Sequence, residues 1–180
     1  MSHITTLFLD MDGTLVDTDQ ANLLAYREAI RRVTGQNLSI SCNNGRFTRK
    51  QLQQALPQLD AANLEEIIAL KETCYKNLLP ATQLLGKTAA LLQQQHRRHQ
   101  TVLVTRSGRE RAILTLRHHG LLGCFNELLC GEKRANKYAV AIAQLDVAPA
   151  CVAVFENEAA EACNAVAAGI PAANIMVLAA

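Results

Sequence analysis

The sequence predicts an α/β fold: a parallel sheet of about five strands, covered by helices on both faces, with an all-helical insertion. Three observations carry this expectation. Short apolar runs alternate with helix-length segments through the second half of the chain, the pattern of right-handed βαβ crossovers. The runs "TVLV" and "CVAVF" are apolar on successive residues, as strands buried on both faces must be. From about residue 19 to residue 80 the alternation stops, leaving polar–apolar mixtures with helical spacing.

In chain order, residues 5–9 form the first predicted strand and end on Asp10. The segment "DQANLLAYREAIRRV" then places Leu23, Leu24, Ala25, Ala29, Ile30 and Val33 largely on one side of a helix. Asp19 is its expected N-cap and Gly35 its stop. "TRKQLQQAL" and "ANLEEIIALKETCYKNLL" read as two further helices, and Pro80 introduces a helix over residues 81–95. Strands follow at 101–104, 127–130, 152–155 and 174–178, separated by helices at 109–119, 137–145 and 159–168. The expected division is a core of residues 1–18 and 81–180 with a helical cap of residues 19–80. The cap is expected above the C-terminal edge of the sheet, where open α/β folds bind ligands. Its hinges are expected at residues 17–19 and 80–81.

With 180 residues, 49% of them hydrophobic, the chain can build a substantial core. A formal net charge of +2 argues against a dedicated nucleic-acid binder. No apolar run approaches the roughly 18–20 residues that span a bilayer, so no membrane partner is expected. "MSHITTLFLDMDG" lacks the basic start of a secretory signal. The six cysteines, scattered and without a CxxC pair, read as buried free thiols of a cytoplasmic protein.

The chemistry is concentrated in "TLFLDMDGTLVD", residues 6–17. Asp10 falls at the C-terminal end of the first strand, and alternation puts Asp12 on the same side if the backbone stays extended. Two carboxylates so close repel each other unless a cation or a proton is shared between them. Mg²⁺ is the expected neutraliser, a hard ion that takes one or two carboxylates together with a substrate phosphate. Gly13 allows a turn with close backbone approach, and Thr14 can hydrogen-bond locally.

"DMDGTLVD" resembles the first motif of the haloacid dehalogenase superfamily, and the resemblance extends over nearly the whole chain. "VLVTRSGR" looks like the second motif, with Thr105 ending its strand, and "VFENEAAEACNAVAAGIP" looks like the fourth. The helical block is similar to the small caps of the phosphoglycolate phosphatase and β-phosphoglucomutase-like branch, which implies a Rossmann-like, doubly wound core. The resemblance implies that Asp10 is a nucleophile forming an aspartyl-phosphate and that Asp12 is the acid and then the base. It implies that Thr105, with Arg106, Ser107 and their loop amides, binds the phosphoryl oxygens. It further implies that Asp10, Asp12 (through its main-chain carbonyl), Glu156 and Asn157 hold Mg²⁺.

The family's third motif is a lysine. "GEKRANKYAVAIAQL" offers Lys133 and Lys137, with Lys137 preferred because Asn136 is a good N-cap for the helix it begins. Many relatives carry Glu-Asp where this chain has Glu156-Asn157. An amide there replaces a full charge by a dipole, which should weaken cation binding by about 1–3 kcal/mol. Glu158 and Glu161 could restore charge if they turn inward; otherwise they belong to a solvated first helical turn.

The expected function is a Mg²⁺-dependent phosphatase acting on a small phosphorylated metabolite, as a monomer or homodimer. A phosphomutase is the nearest alternative, disfavoured because Asn22 stands where the resemblance would call for a gating His. A catalytically weakened phospho-ligand binder is the other, supported by Asn157. Substrate choice is expected from Asn22, Arg46, Arg49 and Lys76.

Overall fold

The computed structural model describes residues 3–38, 46–131 and 135–178. In chain order the elements are β1 (Thr6–Leu9), β2 (Val16–Asp17), α1 (Asp19–Thr34), α2 (Arg49–Ala55), α3 (Ala61–Tyr75), β3 (Gln83–Leu84) and α4 (Gly86–Gln95). There follow β4 (Gln100–Thr105), α5 (Arg109–His118), β5 (Glu127–Cys130), α6 (Lys137–Leu145), β6 (Val152–Glu156), α7 (Ala159–Ala167) and β7 (Ile175–Val177). The chain divides into two compact units, Met1–Asp17 with Leu84–Ala180, and Thr18–Gln83.

The first unit is a five-stranded sheet in the order β5-β4-β1-β6-β7, with every described pairing parallel. This is the doubly wound α/β fold expected from the alternating runs. Strand alternation sends successive side chains to opposite faces. Leu7, Leu9, Leu103, Ala153 and Phe155 pack with Ala89 and Leu92 of α4 and with Ala112 and Leu116 of α5. Phe8, Val102, Val104, Val152 and Val154 pack on the other face with Tyr138 and Ala141 of α6 and Ala165 of α7. From β1 the chain winds outward through β4 to β5, then crosses back to β6 and β7 on the far side of β1. In open α/β sheets such a reversal of strand order, here at β1, marks the C-terminal edge where ligands bind.

The second unit is all-helical, as its spacing predicts. Leu23, Tyr26, Ala29 and Ile30 of α1 pack with Phe47, Leu52, Leu56, Leu64 and Ile67. Tyr26 meets Phe47 edge to face, with ring centroids 4.9 Å apart. Thr48 and Gln51 form a reciprocal capping box at α2, and Asp60 caps α3.

Some boundaries differ from expectation. Thr18, not Asp19, is the N-cap of α1, while Gly35 closes that helix with φ +71° as expected. The helix expected over 81–95 begins only at Gly86. Residues 76–81 instead form a 3₁₀ turn containing Pro80, closed by Thr82 donating to the Leu79 carbonyl. Gln83–Leu84 then runs extended and pairs with β2 in a two-stranded sheet. Among the described residues no helix is long and apolar enough to cross a membrane.

Candidate active site

Register alone brings the acidic residues together. Leu9 lies beside Leu103 on β4 and Phe155 on β6, and the Asp10 amide donates to the Phe155 carbonyl at 3.1 Å. Asp10 therefore leaves β1 level with Glu156, the last residue of β6. Between them sits Lys137, whose Nζ donates to Asp10 Oδ1 at 2.8 Å and Glu156 Oε1 at 2.6 Å. All three are buried. Asn136 presents this lysine: its side chain accepts from the Tyr138 and Ala139 amides and caps α6, so Lys137 becomes the first helical residue. Lys133 lies outside the described residues.

Both carboxylate oxygens of Glu156 are hydrogen-bonded. Its Oε1 accepts from Lys137 and the Tyr138 hydroxyl, and its Oε2 accepts from the Asn157 and Glu158 amides at 2.8 and 3.0 Å. A carboxylate offers about four acceptor sites. Glu156 thus acts here as an anchor for Lys137 and for the start of the following turn.

The loop after β1 wraps tightly, with the amides of Thr14, Leu15 and Val16 all donating to the Met11 carbonyl. Gly13 turns the chain with φ +81°. A Cβ on Gly13 would stand 2.3 Å from the Asn157 amide nitrogen, so glycine is required for space as well as for backbone conformation. Beyond the turn, Asp12 Oδ2 accepts from the Ser107 hydroxyl at 2.5 Å, and Oδ1 accepts from Arg111 at 3.1 Å. Thr105 ends β4 buried, its hydroxyl oxygen accepting from the Ser107 amide. Arg106, expected to bind phosphate, pairs through Nε with Glu161 at 2.7 Å. Glu161 has turned inward but toward Arg106, and Glu158 is exposed.

Charge balance follows from these contacts. Burial pushes the Asp10 carboxyl up to about 7, with Lys137 opposing and the Glu156 and Asp12 carboxylates adding to the rise. Lys137 is also buried, but Asp10 and Glu156 hold its ammonium above the usual value. Burial, reinforced by Glu156, raises the Tyr138 phenol, which stays a donor. For Glu161 burial acts upward, yet the Arg106 hydrogen bond and the Lys137 charge bring its carboxyl below the ordinary range.

The chain that carries this loop-borne pair of aspartates and the buried lysine bridging to a third acid matches a family model along almost its whole length. The haloacid dehalogenase-like hydrolase profile covers residues 7–175. The chain belongs to the haloacid dehalogenase-like hydrolase family. Solved structures agree in fold. CbbY from Rhodobacter sphaeroides, crystallised with phosphate, superposes with TM-score 0.77 at 17% identity, over 98% of this chain and 87% of that one. A haloacid dehalogenase-like family hydrolase from Streptococcus pneumoniae gives 0.75 at 18%, over 93% and 82%. A candidate β-phosphoglucomutase from Thermotoga maritima gives 0.69 at 22%, over 96% and 84%. No curated protein matches the chain in a sequence search.

Two partners in this hydrolase's site were not singled out from sequence, Arg111 and Tyr138. Arg111 shares the 111/112/115/116 stripe of α5 with Ala112, Thr115 and Leu116, all buried. A charged residue on an inward stripe signals a buried partner. Tyr138 follows the lysine directly, and its ring stacks on Phe8.

Among the described residues no group of three or more His, Cys, Asp or Glu is arranged to hold a metal ion. A mixed oxygen set does fit one. With the Asn157 amide oxygen facing the loop, it stands 3.2 Å from the Asp12 carbonyl oxygen and 3.3 Å from Glu156 Oε2. Neighbouring ligand oxygens around a small hard cation lie about 3 Å apart, given bonds near 2.1 Å. Asp10, the Asp12 carbonyl, Glu156 and the Asn157 amide oxygen would be the protein's ligands.

Proposed function

We propose that this hydrolase is a phosphatase that cleaves a small phosphate monoester through an aspartyl-phosphate on Asp10, with Mg²⁺ as cofactor. The observation that carries the reading is the buried Lys137 ammonium 2.8 Å from Asp10 at the C-terminal end of β1. A fixed cation there holds the attacking carboxylate in place and offsets its repulsion of an incoming phosphate dianion. A carboxylate oxygen of Asp10 forms the new bond to phosphorus as the ester oxygen leaves. Asp12, two residues on, gives that oxygen a proton and later takes one from the water that hydrolyses the acyl phosphate. Ser107 and Arg111 fix the Asp12 carboxylate for this task. Thr105 and the amides of the loop after β4 supply donors for the phosphoryl oxygens. Mg²⁺, when bound, supplies charge neutralisation between carboxylate and phosphate.

The helical unit Thr18–Gln83 is assigned the role of cap in this reading, and the protein a cytoplasmic location as a monomer or homodimer. A mutase is disfavoured, because Asn22 is buried and its amide is spent on the Phe47 carbonyl at 2.8 Å. Purified protein with Mg²⁺ should hydrolyse p-nitrophenyl phosphate or acetyl phosphate, and Asp10→Asn should reduce the rate to background. Activity that survives this substitution would remove the mechanism.

A further inference from the structure

The Asn157 amide can be placed two ways in its pocket, and they differ in what they demand. The atom that faces the loop after β1 lies 3.2 Å from the Asp12 carbonyl oxygen, 3.2 Å from Thr14 Oγ1 and 3.3 Å from Glu156 Oε2. All three neighbours are oxygens. If the amide oxygen occupies that position, only the Thr14 hydroxyl can donate to it, and the other oxygens face it without an intervening proton. If Nδ2 occupies it, its two hydrogens have three acceptors within reach in the same geometry, the Asp12 carbonyl, Thr14 Oγ1 and Glu156 Oε2. Without a cation the second orientation is favoured, because its two N–H groups replace the two oxygen–oxygen approaches that lack a proton, to the Asp12 carbonyl and Glu156 Oε2, by donor–acceptor contacts.

We propose that Asn157 is a positioning residue that clasps the Asp12–Thr14 loop to the end of β6 through its NH₂ group. The site is thereby assembled without a divalent cation, and a cation binds only when this amide turns over. The steric setting agrees. Gly13 leaves the space the amide fills, since a Cβ would stand 2.3 Å from one of its heavy atoms. The charge count agrees too, because Lys137 and Arg111 already face Asp10, Glu156 and Asp12 from within hydrogen-bond distance. An aspartate at 157 would set a carboxylate oxygen against the Asp12 carbonyl and Glu156 with no proton to share. Such a site needs the ion to hold it together; this one does not.

The inference rests on the phosphoryl-transfer reading only for where the cation would sit, and its test uses no turnover. Thermal unfolding of the wild type is compared with Asn157→Asp in EDTA and in MgCl₂. At the same Mg²⁺ concentration the wild-type midpoint should rise clearly less than the variant's. Asn157→Asp should melt lower in EDTA and regain about 5 °C or more once Mg²⁺ reaches 100 times its Kd. A wild-type gain as large as the variant's, or a variant equally stable in EDTA, would overturn the clasp. Should the variant not fold in EDTA, the wild type still decides by NMR. The Asn157 side-chain NH₂ pair, identified by its loss in Asn157→Ala, should exchange slowly in EDTA and shift on Mg²⁺ titration. Exchange at the solvent rate in EDTA would refute the proposal. A protein with the clasp intact but no phosphatase activity would instead count against the proposed reaction alone.

Discussion

Two residues carry most of the local tension in the site. Asp10 is an acid buried among acids, and its carboxyl rises from 3.8 to about 7 despite Lys137. A raised acid keeps its proton in the folded state after the unfolded chain has released it, so stability falls as pH climbs through that window. In metal-free buffer the melting midpoint of wild type relative to Asp10→Asn should therefore decline from about pH 4 to about pH 7. A flat or rising difference would contradict the assigned environment. Gly13 is the other. Gly13→Ala forces a side chain to φ +81° and drives Cβ into the Asn157 amide. The expected cost is about 1–3 kcal/mol in chemical denaturation, with phosphatase activity lost further than stability explains. The places of Asp10 after β1, Thr105 at the end of β4 and Lys137 at the start of α6 were legible in the sequence, Asp10 from the apolar run it ends and the other two through the motifs they resemble. Arg111 was not, because its inward aim follows from the rotation of α5, which neither "RSGRER" nor its charge reveals.

At the scale of the element, α6 carries the lysine, and its first turn decides where that lysine points. Asn136 accepts two amides of α6 and donates through Nδ2 to the Asn164 carbonyl of α7 at 2.6 Å. One side chain thus sets both the start of α6 and its contact with α7. Asn136→Ala should lower stability by about 1 kcal/mol or somewhat more. It should also reduce kcat more than KM, since Lys137 would lose its fixed approach to Asp10. Asn136→Ser, which keeps the cap acceptor, should recover part of both. Equal behaviour of the two variants would show that the cap does not govern the lysine. The helix here was expected from periodicity and its cap, whereas residues 81–85 misled. Pro80 permits a helix to start just beyond it, but Gln83–Leu84 pairs with Val16–Asp17, and that partner lies some 66 residues away in sequence. Local propensity carries no information about such a pairing.

Over the whole molecule, the two hydrophobic clusters of the sheet unit draw every member from outside residues 18–83. The insertion leaves and returns through the paired β2 and β3, whose neighbouring strands run about 5 Å apart. Replacing residues 18–83 by a short Gly-Ser turn should therefore leave a folded α/β unit with one cooperative transition and its sheet signal in circular dichroism. Loss of cooperative unfolding would mean that the sheet unit depends on the insertion. The layered sheet was readable from continuous apolar runs because burial on both faces leaves no polar positions to blur them. The strand order was not readable in that way: apolar runs say which strands are central, and only register says that β6 lies beside β1.

Tyr138 also has a use of its own. The protein has no tryptophan and three tyrosines, and two of these, Tyr26 and Tyr75, lie in the helical unit. The phenol against Glu156 is thus the sheet unit's sole tyrosine chromophore, one residue from the Lys137 ammonium. Near-ultraviolet dichroism of the shortened protein would come with an intrinsic optical reporter at the candidate site, and occupancy there could be followed without any label.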